Sequence, residues 1–286
     1  MCQRERKFYL KYQISDILAM SNNDRKLLLE ADSTAILQEM LLHIGNADES
    51  VRDHQHLRLF YEFLHYELLS SDDKQYLISQ LTQDSYIFFK IGEKNTDSIF
   101  QRSLSVLWLT YLIRSDAEQS FLSNEQYNEI LNLATRYLSK EKDTRGYIDG
   151  KGWAYGIANG ADLILALIKH PNFTINYAPA ILQSIRDCFW KETVYVDDEE
   201  ERLVEIMEAL ISREIDEKLL IEWVEQVFDS LEYSKQSIGY QPLFLKARTQ
   251  TLHFMKTFYF TLKFRQVMPE LQGAVSHFIG KWMKIS

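Results

Sequence analysis

The chain has 286 residues, 46% of them apolar and 13% aromatic, and carries a net charge of −9. That much apolar material supports a large core and excludes a disordered chain, and the acidic balance argues against nucleic-acid binding by the surface as a whole. Cys2 and Cys188 lie far apart and form no CxxC, so neither a disulfide framework nor a thiolate zinc site is expected.

The first stretch, MCQRERKFYLKYQ, is charged and has no signal-peptide apolar run. No run of about 18 apolar residues occurs after it. A cytoplasmic protein with no membrane span is therefore expected. Proline is scarce, with Pro171, Pro179, Pro242 and Pro269, and no linker-like segment divides the chain. One domain over 1–286 is expected.

In chain order, apolar residues recur at helical spacing. The stripes are Ile36, Leu37, Met40, Leu41 and Ile44; Leu57, Phe60, Tyr61, Leu64 and Leu68; Ile99, Leu104, Leu107, Trp108 and Tyr111; Ile130, Leu131, Ala134 and Leu138; Leu203, Ile206, Met207 and Leu210; and Leu220, Trp223, Val224 and Val227. Ser33, Asp97, Ser123 and Asp198 read as N-caps. Ser123 with Gln126, and Asp198 with Glu201, match the capping-box spacing. Gly45 reads as a C-terminal cap, and Pro171 closes a helix ending near His170. FFKIG and TVYV are too short to build a sheet.

The pattern predicts an all-α protein of roughly ten to twelve helices, paired at about 40 residues per pair, the size of armadillo or HEAT units. A right-handed α/α superhelical array would leave a concave face suited to binding. An α/α toroid and an irregular bundle are the alternatives.

Charge is uneven. From Asp197 to Glu232 fourteen acidic and three basic residues give −11, whereas Tyr233 to Pro269 holds six basic residues and no acidic one. Two solvated helix faces of opposite sign, or an acidic interaction face beside a basic one, both fit. In LHFMKTFYFTLKF, Phe254, Phe258 and Leu262 form a core stripe with Lys256 and Lys263 outward. A single-stranded nucleic-acid platform or a membrane-surface helix would instead need those rings exposed.

RGYIDGKGWAYGIANGAD, Arg145 to Asp162, holds five of the ten glycines. Gly146 and Gly150 read as turn residues. A helix from about Lys151 to Lys169 would place Gly152, Gly156 and Gly160 on one stripe. Each mid-helix glycine costs about 1 kcal/mol against alanine, so the stripe implies a close approach, by another helix or by a ligand. On the same helix Tyr155, Asn159 and Asp162 fall at i, i+4 and i+7. They read either as a structural hydrogen-bond network or as a recognition site. Arg102, Arg145 or Lys151 is the expected partner of Asp162.

RGYIDGKGWAYGIANGADLILALIKHP resembles the signature of a bacterial family of unknown function, DUF2785. MLLHIGNADESVRD, FQRSLSVLWL and DDEEERLVEIMEALI are similar to its pattern too, so the likeness runs from about Ala35 to Phe264. The resemblance implies an armadillo-like right-handed helical array and brings no reaction with it. In the family pattern His stands at the positions of Tyr155 and Asn159. The departure here removes a histidine pair suited to metal or acid–base work. Arg102, Lys151, Trp153, Asp162 and the group Asp197, Asp198, Glu201 and Arg202 remain.

No HExxH, Walker loop, GxGxxG, GxSxG or EF-hand spacing occurs, so no cofactor and no metal are expected. The reading is a non-enzymatic scaffold for a protein or peptide partner. Its candidate face comprises Arg102, Lys151, Trp153, Tyr155, Asn159, Asp162, Asp197, Asp198, Glu201 and Arg202. The alternative is a glycosidase-type hydrolase pairing Asp162 with Asp197 or Asp198, with Trp153 and Tyr155 stacking on a sugar.

Overall fold

The structure, a computed structural model, describes residues 13–283; Cys2 and most of the charged N-terminal stretch lie outside them. The described chain is predominantly helical, with thirteen α-helical segments. These are α1 Ile14–Ala19, α2 Asn22–Leu42, α3 Glu49–Val51, α4 Arg58–His65, α5 Ser71–Leu81, α6 Ser98–Glu118 and α7 Asn124–Lys140. After them come α8 Gly156–Lys169, α9 Ala178–Cys188, α10 Glu199–Ser212, α11 Glu217–Ile238, α12 Pro242–Arg265 and α13 Pro269–Met283.

Side-chain chemistry explains several boundaries. Ser123 accepts from the Gln126 amide at 3.2 Å and Gln126 accepts from the Ser123 amide at 3.0 Å, a complete capping box at the start of α7. Pro171 comes just after the end of α8, as expected. The expected cap at Ser33 is off by one residue. Helix α2 kinks at Asp32 (φ −161°, ψ 69°), and the Asp32 carboxylate caps the Ala35 amide at 3.1 Å. Asp97 and Asp198 occupy the N-cap positions of α6 and α10, but neither side chain caps. The box from Asp198 to Glu201 does not form, because Asp198 is left-handed (φ 63°) and Glu199 takes the Asp197 amide instead. Gly45 lies beyond the α2 cap, His43. Its lack of a side chain serves a close approach, since a Cβ there would come within 2.5 Å of the Gln101 Cβ.

From α4 onward many helices pack on the helix two places along. Helix α4 touches α6, α6 touches α8, α8 touches α10 and α10 touches α12; α7 touches α9 and α11 touches α13. Contacts of α5 with α6, α7 with α8, and α11 with α12 join the two rows. One hydrophobic cluster runs from Ile14 to Trp282. Most predicted stripes are buried in it. In the one containing Tyr61, Phe60 is fully buried and Leu57, Leu64 and Leu68 pack against the core, while Tyr61 turns out at 48% exposed. A π-helical turn, Arg52–Leu57, precedes α4.

Phe254, Phe258 and Leu262 are fully buried, so that stripe of α12 packs into the core, while Phe260 and Phe264 of the same stretch are exposed. The acidic α10–α11 segment lies against the basic α12, with Arg265 Nε 2.5 Å from Glu208 Oε1. No described helix is long and apolar enough to cross a membrane.

The glycine-rich stretch departs from expectation. Its first part is a short antiparallel hairpin, β1 Tyr147–Ile148 with β2 Gly152–Trp153, pairing Tyr147 with Trp153. Gly150 (φ 72°) and Gly152 (φ 81°) take left-handed backbone there. Helix α8 begins five residues later than predicted, at Gly156, and Gly152 is not on it. The stripe shrinks to Gly156 and Gly160, and helix packing explains both. A Cβ on Gly156 would meet Ile99 Cδ1 at 2.7 Å and the Asp143 carbonyl at 2.9 Å; one on Gly160 would meet the Tyr137 ring at 3.0 Å.

Candidate functional site

The hairpin is carried on buried charge. Arg102 of α6 is fully buried and grips Glu141, Nε to Oε2 at 2.5 Å and Nη2 to Oε1 at 3.0 Å. Ser98 Oγ takes a further bond at 2.8 Å. Burial alone would lower the Arg102 pKa; the hydrogen bond and charge of Glu141 outweigh it and hold the guanidinium above its usual value. Glu141 also accepts the amides of Lys142 and Asp143. Asp143 in turn binds Arg145, Nη2 to Oδ2 at 2.6 Å, and the Asn95 amide at 2.9 Å. From the other side Arg52, buried and 4.0 Å above the Phe100 ring, donates to the Lys151 carbonyl at 2.7 Å. The hairpin is thereby locked between α6, the α7–α8 connection and the π turn.

On this base stands a ladder of rings. Tyr147 and Trp153 face each other across the strands, edge to face at 5.2 Å, and Trp153 stacks on Tyr155 at 4.3 Å with 6° between planes. Tyr147 is 52% and Trp153 40% exposed. Tyr155 sits just before α8 in left-handed backbone (φ 49°), which turns its ring onto the indole. The Arg202 guanidinium lies 5.9 Å from the Tyr155 ring centre and binds Asp162, Nη1 to Oδ2 at 2.7 Å. Asp197 presses on the hairpin at Gly146, so closely that a Cβ there would overlap its carboxylate. Burial, then Asp198, Asp197 and Glu199, raise the Tyr155 pKa against the opposing pull of Arg202.

The structure thus joins Trp153, Tyr155, Asp162, Asp197, Asp198 and Arg202 into one patch. Of the other candidates, Arg102 and Asn159 lie inside the fold, while Lys151 and Glu201 remain accessible. Arg102 is a buried anchor. Asn159 is buried in the α6–α8 seam, donating to the Ser103 carbonyl at 3.2 Å. Lys151 is held by both oxygens of Asp97 at 2.7 Å, and Glu201 projects from the first turn of α10 into solvent. Tyr155, Asn159 and Asp162 therefore share no polar face: one precedes the helix, one enters the seam and one leaves towards α10. The partner of Asp162 is Arg202, not Arg102, Arg145 or Lys151.

Two patch residues carry weaker sequence signals. Tyr147 could be found from YIDGKGW, because an Asp-Gly turn flanked by aromatics is a hairpin signal. Glu199 is 2% exposed. Burial raises its pKa, with the charges of Asp197 and Glu200 adding to the effect, and hydrogen bonds to the amides of Asp197 and Glu199 itself oppose it. Nothing in DDEEER distinguishes it from its exposed neighbours. Among the described residues no group of three or more His, Cys, Asp or Glu is arranged to hold a metal ion.

Residues 87–260 match the family model described as "Protein of unknown function (DUF2785)". The chain belongs to that family. All ten candidate residues fall inside the DUF2785 match, whereas MLLHIGNADESVRD precedes it. Comparison with the curated proteins and with the solved structures finds no match.

Proposed function

We propose that the chain is a non-catalytic helical scaffold, a single domain with a right-handed, armadillo- or HEAT-like superhelical arrangement, that receives a protein or peptide partner. Packing of α4, α6, α8, α10 and α12 in one row, each on the next, supports the array, and the hydrophobic cluster from Ile14 to Trp282 supports one unit. The observation that carries the binding reading is the exposed ladder Tyr147–Trp153–Tyr155 beside the Asp197–Asp198 loop. Exposed aromatics on rigidly held backbone are what interface centres are made of. Here the rigidity comes from the buried Arg102–Glu141 pair and the half-buried Arg145–Asp143 pair.

The test is photo-crosslinking in cells of the source organism, with a photoreactive residue at position 147 and a control at the exposed position 42. A discrete adduct from 147 alone, lost in Trp153→Ala, is the expected result. Identical adduct patterns from both positions, or none from 147, overturn the reading.

The hydrolase alternative pairs Asp162 with Asp197 or Asp198, and the commitment of Asp162 to Arg202 weighs against it. Turnover of aryl glycosides that disappears in Asp162→Asn and in Asp197→Asn with Asp198→Asn would favour that alternative over the scaffold.

A further inference from the structure

The cations around the ring ladder are all engaged by internal carboxylates. Arg202 is on Asp162 at 2.7 Å, Lys151 on Asp97 at 2.7 Å and Arg145 on Asp143 at 2.6 Å. The carboxylates of Asp197 and Asp198 are different. Neither accepts a hydrogen bond or joins an ion pair with any described residue; the bond at Asp197 is its amide donating to Glu199.

These two carboxylates sit where the rings are. Asp197 lies against Gly146, the residue before Tyr147. The Gly146 carbonyl accepts the amide of Ala154, the residue after Trp153, at 2.8 Å. Both carboxylates act electrostatically on the Tyr155 phenol. The ring ladder is thus bordered by the Asp197 carboxylate at Gly146 and by that of Asp198 on the Tyr155 side, on a segment whose balance from Asp197 to Glu232 is −11.

Resting on the scaffold reading above, we infer that the partner presents a cationic side chain, arginine or lysine, which lies on the Tyr147–Trp153 rings and is neutralised by Asp197 and Asp198. An aromatic face attracts a cation through its negative π surface, and the carboxylates supply the charge-assisted hydrogen bonds that a guanidinium takes well. Rings alone would equally suit a sugar or an apolar side chain; the paired carboxylates decide against the apolar side chain, and the −11 balance of the segment favours a cation over a neutral sugar. An acidic peptide or a nucleic-acid phosphate meets like charge here. The wider acidic field of α10 and α11 steers a basic segment towards the patch.

The probe is a fluorescein-labelled nonapeptide of alternating arginine and glycine, compared with the same peptide carrying citrulline, which keeps the shape of arginine without its charge. Binding is measured by fluorescence anisotropy at low and high salt. Asp197→Asn with Asp198→Asn removes both charges with little change of shape, and asparagine tolerates the left-handed backbone at 198. Tyr147→Ser removes an exposed ring. Glu222→Gln with Glu225→Gln, on the exposed side of α11, controls for general acidity.

The expected result is saturable arginine-peptide binding that weakens with salt. Affinity should fall at least tenfold with citrulline and in the Asp197/Asp198 variant, several-fold in Tyr147→Ser, and less than twofold in the α11 control. Absence of saturable binding, equal binding of the citrulline peptide, or an equal loss in the α11 control overturns the inference. Its failure separates from that of the scaffold reading. A partner crosslinked at 147 through a segment without arginine or lysine sinks only the cation site. Asp197/Asp198-dependent peptide binding without any cellular adduct sinks only the scaffold.

Discussion

Arg202 of α10 reaches back over forty residues of sequence to Asp162 of α8, closing an ion pair at 2.7 Å with Asp162 16% and Arg202 34% exposed. The pair bridges two neighbouring helices at the edge of the ring ladder and sets the orientation of both carboxylate and guanidinium. Removing the arginine leaves a half-buried carboxylate without its counter-charge. Arg202→Met is expected to cost about 1–3 kcal/mol, and Asp162→Asn somewhat less, because Asn still accepts a hydrogen bond. A double-mutant cycle in urea denaturation measures the coupling; a coupling energy near zero would show the pair to be incidental.

The Arg102–Glu141 pair is buried on both sides. Breaking one member strands the other in a low-dielectric interior, so Glu141→Gln or Arg102→Met is expected to destabilise by about 3–5 kcal/mol. Because Glu141 also holds two backbone amides, the hairpin should loosen along with the global fold. Hydrogen exchange at residues 147–153 and thermal melting check this together. Unchanged protection in a destabilised Glu141→Gln protein would separate the hairpin from its supposed anchor.

Three helical glycines give an ordered set. Gly156→Ala drives a Cβ against the Asp143 carbonyl, which cannot rotate away, and should cost about 1–3 kcal/mol. Gly160→Ala meets the ring of Tyr137, fixed by its hydroxyl bond to the Gly156 carbonyl at 3.1 Å, so a smaller loss is expected. Gly273 in α13 has nothing within 4 Å, and Gly273→Ala should stabilise by about 0.5–1 kcal/mol through helix propensity alone. Melting temperatures in the order 273 above wild type above 160 above 156 are the expected outcome.

Glu199 makes stability pH-dependent. Its folded pKa is raised by burial, so its favourable contribution is complete below the ordinary glutamate range and is lost as pH rises through the folded value. At neutral pH holding this carboxyl in its buried site costs stability relative to an exposed glutamate. Glu199→Gln keeps an oxygen for the Asp197 amide and should be more stable than wild type at pH 7, with the difference vanishing below pH ~4. Denaturation midpoints across pH 3–8 test it; a difference that persists unchanged in acid would place the effect elsewhere.

Much of the architecture is legible from apolar periodicity, because burying one stripe of a helix needs only a partner, not a particular one. The stripes at Ile130–Leu138 and Leu203–Leu210 are buried as their spacing predicts. In the stripe ending at Leu68 only Tyr61 turns outward, and no composition signal announces the π turn at Arg52–Leu57 that precedes it. The candidate patch is half legible. GKGW and DDEEER mark two segments that the fold brings together, but Asn159 and Arg102 look like surface chemistry when they are packing and anchoring groups.

By itself the sequence determined an all-α chain, the helix boundaries at Ser123 and Pro171, and the concentration of unusual backbone between Arg145 and Asp162, since these arise from local propensity and periodicity. Only the tertiary structure decided that Gly152 closes a hairpin rather than opening a helix, that Asp162 pairs with Arg202, and that Asp197 lands on Gly146. Those outcomes depend on which helices become neighbours, a long-range packing result that hydrophobic spacing leaves open because it specifies a face and not the side chains that face it.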